Sequence, residues 1–234
     1  MPFGEYLQWM EEFGAACFSV LKENGSLFFN IGDKASDEFR AFQVAQRLAQ
    51  SLKLQNTIHW IKSIAVPEHG VNLGHFKPVN SHRYLNNCHE YIFHFTKNKA
   101  VPLKRLAIGV PYADKSNINR WKHGKQNGDV RDRGNIWYIP YSTVRSQKEH
   151  PAAFPQRLPE MCIQLHGFSP ETLVLDPFAG SGTTCLAAQE LGCQYLGFEI
   201  DEAYHRLALQ KLNHREPVIV KASNNPDKSW DCWR

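Results

Sequence analysis

The sequence predicts an α/β fold: a Rossmann-like sheet carrying a loop-rich basic insertion. Three observations predict it. Near the C-terminus a short apolar run, Leu173-Val174-Leu175, ends at Asp176, and a glycine-rich turn then opens an Ala/Leu-rich helical stretch, Cys185–Leu191. In the N-terminal half, segments of helical periodicity alternate with short runs rich in β-branched and aromatic residues. Between the halves, from Lys97 to Arg133, periodicity fades and cations accumulate. A chain of 234 residues can bury one substantial core, so one α/β domain with an insertion is the economical architecture.

The elements follow in order. Tyr6–Leu21 places Leu7, Met10, Phe13, Ala16, Cys17, Val20 and Leu21 at helical spacing, and Asn24-Gly25 stops it. Ser26–Ile31 reads as a strand, and Phe39–Leu52 as a helix with Phe42, Ala45, Leu48, Ala49 and Leu52 on one face. Asn56–Ile61 and Glu90–Thr96 are strands by composition. After the insertion come Ile136-Trp137-Tyr138-Ile139-Pro140, then His150–Pro155 leading into a helix that ends near His166-Gly167. Tyr195–Phe198 is a second apolar run and Asp201–Leu212 a helix. Beyond Asn213 the chain is polar and irregular apart from Pro217–Val220, which suggests a frayed tail.

Composition narrows the function. A formal net charge of +4 permits a nucleic-acid partner without demanding one. No apolar run approaches the roughly 20 residues needed to span a bilayer. Met1–Met10 carries Glu5 and no basic region of a signal peptide, so a protein of the cytoplasm is expected. The six cysteines are scattered without a Cys-x-x-Cys pair, as expected of small buried thiols. Histidines are dense from His59 to His94 with Cys88 among them, yet none shows zinc-finger spacing, so no metal is expected.

The candidate site lies in Leu173–Glu199. Gly180 and Gly182 fall where the backbone must turn sharply and let a ligand approach closely. Glu199 ends the second apolar run about 20 residues later, where a carboxylate can hold ribose hydroxyls. The unit reads as a nucleoside-binding βαβ. It is no dinucleotide fingerprint, because Cys185 occupies the third glycine position. In the insertion, Lys115, Arg120, Lys122, Lys125, Arg131 and Arg133 are interleaved with Asn117, Asn119, Trp121 and Asn127. Cations suit phosphates, and amides and arginines suit base edges, so this segment is a candidate DNA contact. The plain alternative is a solvated surface excursion.

The full string Asp176-Pro-Phe-Ala-Gly-Ser-Gly-Thr-Thr184 closely resembles the S-adenosylmethionine motif of the DNA amino-methyltransferases, which methylate cytosine N4 or adenine N6. Val20–Asp33 resembles that family's helix-then-strand segment, Glu90–Thr96 its last antiparallel hairpin strand, and His150–Pro155 its His-Pro-Ala-x-Phe-Pro motif. The similarity runs in consistent order from Tyr6 to Leu212, with the cofactor motif C-terminal to the other half of the sheet, as in the permuted β class. It implies S-adenosyl-L-methionine as cofactor and duplex DNA as partner, in a prokaryotic or phage-like, nucleoid-associated setting. It further implies roles for single residues. Asp176 would face the methionine ammonium. Phe178 and the backbone of Ala179, Gly180, Ser181 and Gly182 would wrap the amino-acid and sugar portions, with Thr183 and Thr184 beginning the helix. Glu199 would take the ribose hydroxyls, and Phe154 would pack nearby. Simpler readings exist: Asp176 as a helix N-cap, Phe154 as core.

One departure stands out. The family's catalytic motif is (Ser/Asp/Asn)-Pro-Pro-(Tyr/Phe/Trp), and this sequence contains no Pro-Pro. The resemblance implies that the motif belongs on a central strand shortly before Tyr6, so catalytic residues are unknown here. The expected organisation is therefore 1–96 as the catalytic-side half of the sheet, 97–135 as a target-recognition insertion, 136–213 as the cofactor half and 214–234 as a polar tail. A separately encoded N-terminal segment or a restriction endonuclease system are candidate partners. Two other functions remain open at this point. One is an inactive fragment or a non-catalytic subunit needing a partner with the motif. The other is an RNA methyltransferase on the same fold.

Overall fold

The computed structural model describes residues 1–37, 39–76, 78–114, 129–140, 154–212 and 219–221. It divides into two compact units. Of the described residues, one comprises 1–102 with 134–140, the other 103–133 with 154–212 and 219–221.

The first unit opens with helix α1 (Phe3–Val20), followed by strand β1 (Leu27–Ile31), helix α2 (Arg40–Leu48) and strand β2 (Lys53–Ile61). A hairpin of β3 (Ser63–Val66) and β4 (Val71–Gly74) precedes β5 (His89–Thr96). β5 lies between β1 and β2 and is antiparallel to both. Helix α2 starts where the Asp33 carboxylate accepts the backbone N–H of Ala41 at 2.7 Å. Met10 and Phe13 of α1 and Ala41, Val44, Ala45 and Leu48 of α2 pack with Phe93 and Phe95 of β5. Each large side chain buried there contributes about 1.5–3 kcal/mol. Trp60 and Trp137 are also fully buried, and the Trp60 indole donates to the Ile139 carbonyl at 2.8 Å. The dense histidines include one core residue. His94 has no accessible surface, its two ring nitrogens lie 3.0 Å from Asn56 Nδ2 and 2.9 Å from Ser26 Oγ, and Phe28 stacks on it. Such pairing is what makes a buried polar ring tolerable.

The second unit holds two short antiparallel strands, β6 (Val110–Pro111) and β7 (Val130–Arg131), before the C-terminal elements. Helix α3 (Arg157–His166) leads to β9 (Leu173–Asp176), α4 (Thr183–Glu190), β10 (Gln194–Glu199), α5 (Glu202–Lys211) and β11 (Ile219–Lys221). The eighth strand, β8 (Ile136–Tyr138), belongs to the first unit. β9, β10 and β11 form a parallel sheet with β10 central, in a βαβαβ order. Asp201 caps α5, its carboxylate accepting from the N–H groups of Ala203 and Tyr204 at 2.8 and 3.1 Å.

Two placements differ from the sequence reading. β8 pairs in parallel with β2, so Ile136–Tyr138 extends the first sheet rather than the cofactor half. Residues 219–221 are a sheet strand and not part of a frayed tail: β11 pairs with Gly197, Phe198 and Glu199 of β10. In both cases the partner is set by long-range pairing, which a run of three residues does not announce. No helix among the described residues is long and apolar enough to cross a membrane.

Candidate functional site: the glycine loop between β9 and α4

In the C-terminal sheet β9 and β10 end side by side, with Gly197 opposite Asp176. The carboxyl end of a parallel sheet is where α/β folds bind ligands, because the loops there separate and helix N-termini point inward. Pro177–Gly182 makes that loop. Gly180 and Gly182 have φ of 52° and 79°, a left-handed backbone that favours glycine. The Gly182 N–H donates to the Ala179 carbonyl at 2.8 Å, and the Ala179 N–H donates to the Phe198 carbonyl at 2.9 Å. The loop is therefore a closed turn tied to the end of β10.

Glu199 is the clasp of this loop. One carboxylate oxygen accepts the Gly180 N–H at 2.7 Å, the other the Asp201 N–H at 2.8 Å. Each oxygen keeps a further lone pair, so the same carboxylate can still accept two hydroxyls. Asp176 accepts the Phe178 N–H at 3.0 Å. Burial raises the Asp176 pKa above its usual value. Hydrogen bonds from Thr184 and Phe178 oppose that shift, and the charge of Glu199 adds to it. Asp176 turns the loop but does not cap α4, since Gly182 occupies the N-cap position. Phe178 and Ile200 are 54% and 59% exposed, apolar surface flanking the two carboxylates.

Sequence reasoning assigns Gly182 to close ligand approach, and the structure adds a second constraint. A Cβ there would lie 2.8 Å from Ala208 Cβ, so the position is also held by packing against α5. The contributions of α5 escape sequence reasoning altogether. Its Ala208 is fully buried against the loop, and Lys211 Nζ donates to Ser181 Oγ at 2.8 Å, with Ser181 itself buried. Nothing local in the sequence links Ser181 to Lys211, 30 positions away. Ile200 escapes it equally, although its place between Glu199 and Asp201 is a signal.

Cys185 is buried behind the loop, and desolvation and the Asp176 charge push its thiol up to about 12. It is a packing residue with no thiolate chemistry at neutral pH. Cys17, Cys88, Cys162 and Cys193 are likewise free thiols, while Cys232 lies outside the described residues. Among the described residues no group of three or more His, Cys, Asp or Glu side chains is arranged to hold a metal ion.

The remaining sequence candidates fare unequally. Phe154 is partly buried just before α3, and His150–Ala153 lie outside the described residues. So do Lys115, Arg120, Lys122 and Lys125. Arg131 is exposed at β7. Arg133 is partly buried and its Nε donates to the Ile108 carbonyl at 2.9 Å, so it serves the fold of the segment at least in part.

A parallel βαβαβ sheet with a glycine loop at its carboxyl end and an acidic residue closing the next strand defines a Rossmann-like half, an arrangement that suits nucleoside ligands. The sequence matches the model of the N6/N4-type DNA methylase family over residues 2–210, and the chain belongs to that family. Type II methyltransferase M.BglII of Bacillus subtilis is 30% identical over 226 residues, covering 91% of this chain and 58% of the relative. Type II methyltransferase M.SmaI of Serratia marcescens is 28% identical over 218 residues, covering 84% of this chain and 70% of the relative. The chain thus spans less than two thirds of the length of M.BglII. Among solved structures, the cytosine-N4-specific PvuII DNA methyltransferase superposes with a TM-score of 0.68 at 21% identity, covering all of this chain and 77% of that one. A complex of M1.HpyAVI with SAM gives 0.56 at 22% identity, covering 88% and 82%. At these identities the structural likeness establishes the fold.

Proposed function

We propose that this chain carries the S-adenosyl-L-methionine site and DNA-contacting surface of an amino-methyltransferase acting on cytosine N4 or adenine N6 of a flipped base in duplex DNA. The observation that carries the reading is the clasp: Glu199 holds Gly180 and Asp201 while Asp176 lies at the end of the adjacent strand. An anion for an ammonium, a carboxylate with spare lone pairs for a ribose diol, and exposed Phe178 and Ile200 for a flat heterocycle fit this cofactor's three parts. When bound, it supplies an electrophilic sulfonium methyl group. The chain's own residues bind and orient it: Asp176 neutralises the ammonium, Glu199 fixes the sugar, and the closed loop excludes water from one side. Catalytic residues are not assigned to this polypeptide, which has no Pro-Pro. Coupling to a separately supplied segment or to a restriction endonuclease belongs to the same proposal.

The raised pKa of Asp176 supplies a test. The folded chain holds this proton to higher pH than the unfolded chain does, so ionisation costs stability as pH rises through the raised value. A cation beside the carboxylate lowers that pKa, so cofactor binding should release a proton at pH values between the usual carboxylate range and the raised pKa of the free site. Affinity should fall as pH drops through that window and be flat well above it. Titration calorimetry in buffers of different ionisation enthalpy reads the proton directly. Asp176→Asn should abolish the pH dependence and weaken binding roughly 10-fold or more, the scale of a charged hydrogen bond. Wild-type affinity that stays flat on acidification would contradict the role of Asp176.

DNA contact by the insertion is tested by salt. Replacing Lys122, Lys125 and Arg131 together with alanine should weaken duplex binding and reduce the slope of log affinity against log salt by about 0.9 for each phosphate no longer neutralised. An unchanged slope would make residues 97–135 a solvated excursion.

A further inference from the structure

Between β2 and β5 lies an excursion, residues 62–88, that the nucleoside site does not use. It leaves the sheet at the carboxyl ends of the parallel strands β1 and β2, the end at which α/β folds meet their ligands. Its base is closed: the N–H groups of Lys62 and Ser63 donate to the Cys88 carbonyl at 2.8 and 3.3 Å. Lys62 Nζ pairs with Glu90 at 2.8 Å, and Asn87 Nδ2 donates to the Asp33 carbonyl at 2.9 Å. The tip is closed as well. Asn86 Oδ1 accepts the Val79 N–H at 2.7 Å, and Ser81 Oγ accepts the Arg83 N–H at 3.1 Å.

What this braced tip presents is unusual. His82, Arg83, Tyr84 and Leu85 are all exposed in succession. Leu85 is 88% exposed, more than any other large hydrophobic side chain among the described residues. The Arg83 guanidinium lies 5.1 Å from the centroid of the Tyr84 ring. The sequence from Lys62 to Cys88 carries Lys62, Lys77, Arg83 and three histidines against the single acid Glu68. A single exposed leucine is ordinary. A leucine held forward on a hydrogen-bonded loop beside a stacked cation and aromatic, in a basic segment, is built for a partner that is anionic outside and apolar within. Duplex DNA is that partner: phosphates for Arg83, and a base step into which an apolar side chain can wedge.

We infer that the loop Val79–Asn86 is a second DNA-contacting element, in which Arg83 pairs with a backbone phosphate and Leu85 wedges into the base stack to favour extrusion of a nucleotide. The inference rests on the DNA reading of the proposed function. A wedge binds best where the stack is already open, so it predicts preference for a duplex with a central abasic site over the intact duplex. The test measures binding of the full chain to a duplex of about 24 base pairs, intact and abasic, by fluorescence anisotropy across salt concentrations. Leu85→Ala should lower the abasic preference about 5- to 10-fold while leaving intact-duplex binding nearly unchanged, since one wedge offsets about one step of unstacking. Arg83→Ala should weaken both duplexes and reduce the salt slope by about 0.9. Both side chains are exposed, so unchanged cofactor affinity and melting temperature should accompany these losses. Wild-type binding with no change in either variant would overturn the loop's role and leave the DNA reading intact. No duplex binding by the wild type, or tighter binding to single-stranded RNA of equal length, would overturn both.

Discussion

The 234-residue polypeptide is expected to transfer no measurable methyl group to duplex DNA on its own, and to do so once a segment with (Ser/Asp)-Pro-Pro-(Tyr/Phe) is supplied, fused or in trans. An exocyclic amine is a poor nucleophile because its lone pair is delocalised into the ring. The family's motif accepts the amino hydrogens and stacks on the flipped base, which localises the pair and orients it. Positioning of that kind is worth about 7 kcal/mol or more, roughly 10⁵-fold in rate. No Pro-Pro exists in this sequence to provide it. Among the described residues β1 and β9 each pair on one side only, so each offers an edge on which a further strand can add. Supplying the segment should therefore raise the unfolding temperature as well as restore turnover. Tritiated methyl transfer to duplex DNA, with and without the segment, reads the first effect. Robust transfer by the chain alone would mean that other residues polarise the amine.

The second large effect concerns Gly182. Its φ of 79° and the 2.8 Å approach of a Cβ to Ala208 act together, so Gly182→Val should destabilise the C-terminal unit by about 2–5 kcal/mol. Cofactor binding should fall with it, because the loop and α5 are one packed body. Gly192 supplies the control. Its φ is 76° but a Cβ there meets nothing within 4 Å, so Gly192→Ala should cost only the strain of a left-handed residue, about 1–2 kcal/mol. Thermal unfolding of Gly182→Ala against Gly192→Ala separates packing from backbone strain. Equal melting temperatures would place the constraint on φ alone.

The helices and long strands are legible because their signals are local. Met10, Phe13 and Cys17 on α1 repeat at helical spacing, and α1 observed as Phe3–Val20 follows from it. The run Leu173–Asp176 and the glycine turn place β9 and α4 to within a residue or two. The hairpin β3–β4 is not among the predicted strands, although Pro67 and Gly70 bracket its turn, because strands of four residues are too short for a period of two to stand out. The runs that become β8 and β11 are visible locally, but where they pair is not: three residues each, with their places set by partners such as Trp60 and Phe198. The candidate site divides in the same way. Asp176, the glycines and Glu199 are visible as a string with a spacing. That Glu199 clasps Gly180, that Lys211 reaches Ser181 and that Ala208 closes the space at Gly182 are tertiary facts carried by small or ordinary residues.

The clasped loop is proposed above as an S-adenosyl-L-methionine site. Calorimetric titration of the cofactor into the 234-residue chain and into Glu199→Ala tests it most directly. The wild type should bind one equivalent saturably. The variant, having lost two charge-assisted bonds to the loop and the acceptor for the sugar, should bind at least about 100-fold more weakly. Undetectable binding to the wild type, or wild-type affinity in Glu199→Ala, would contradict the account.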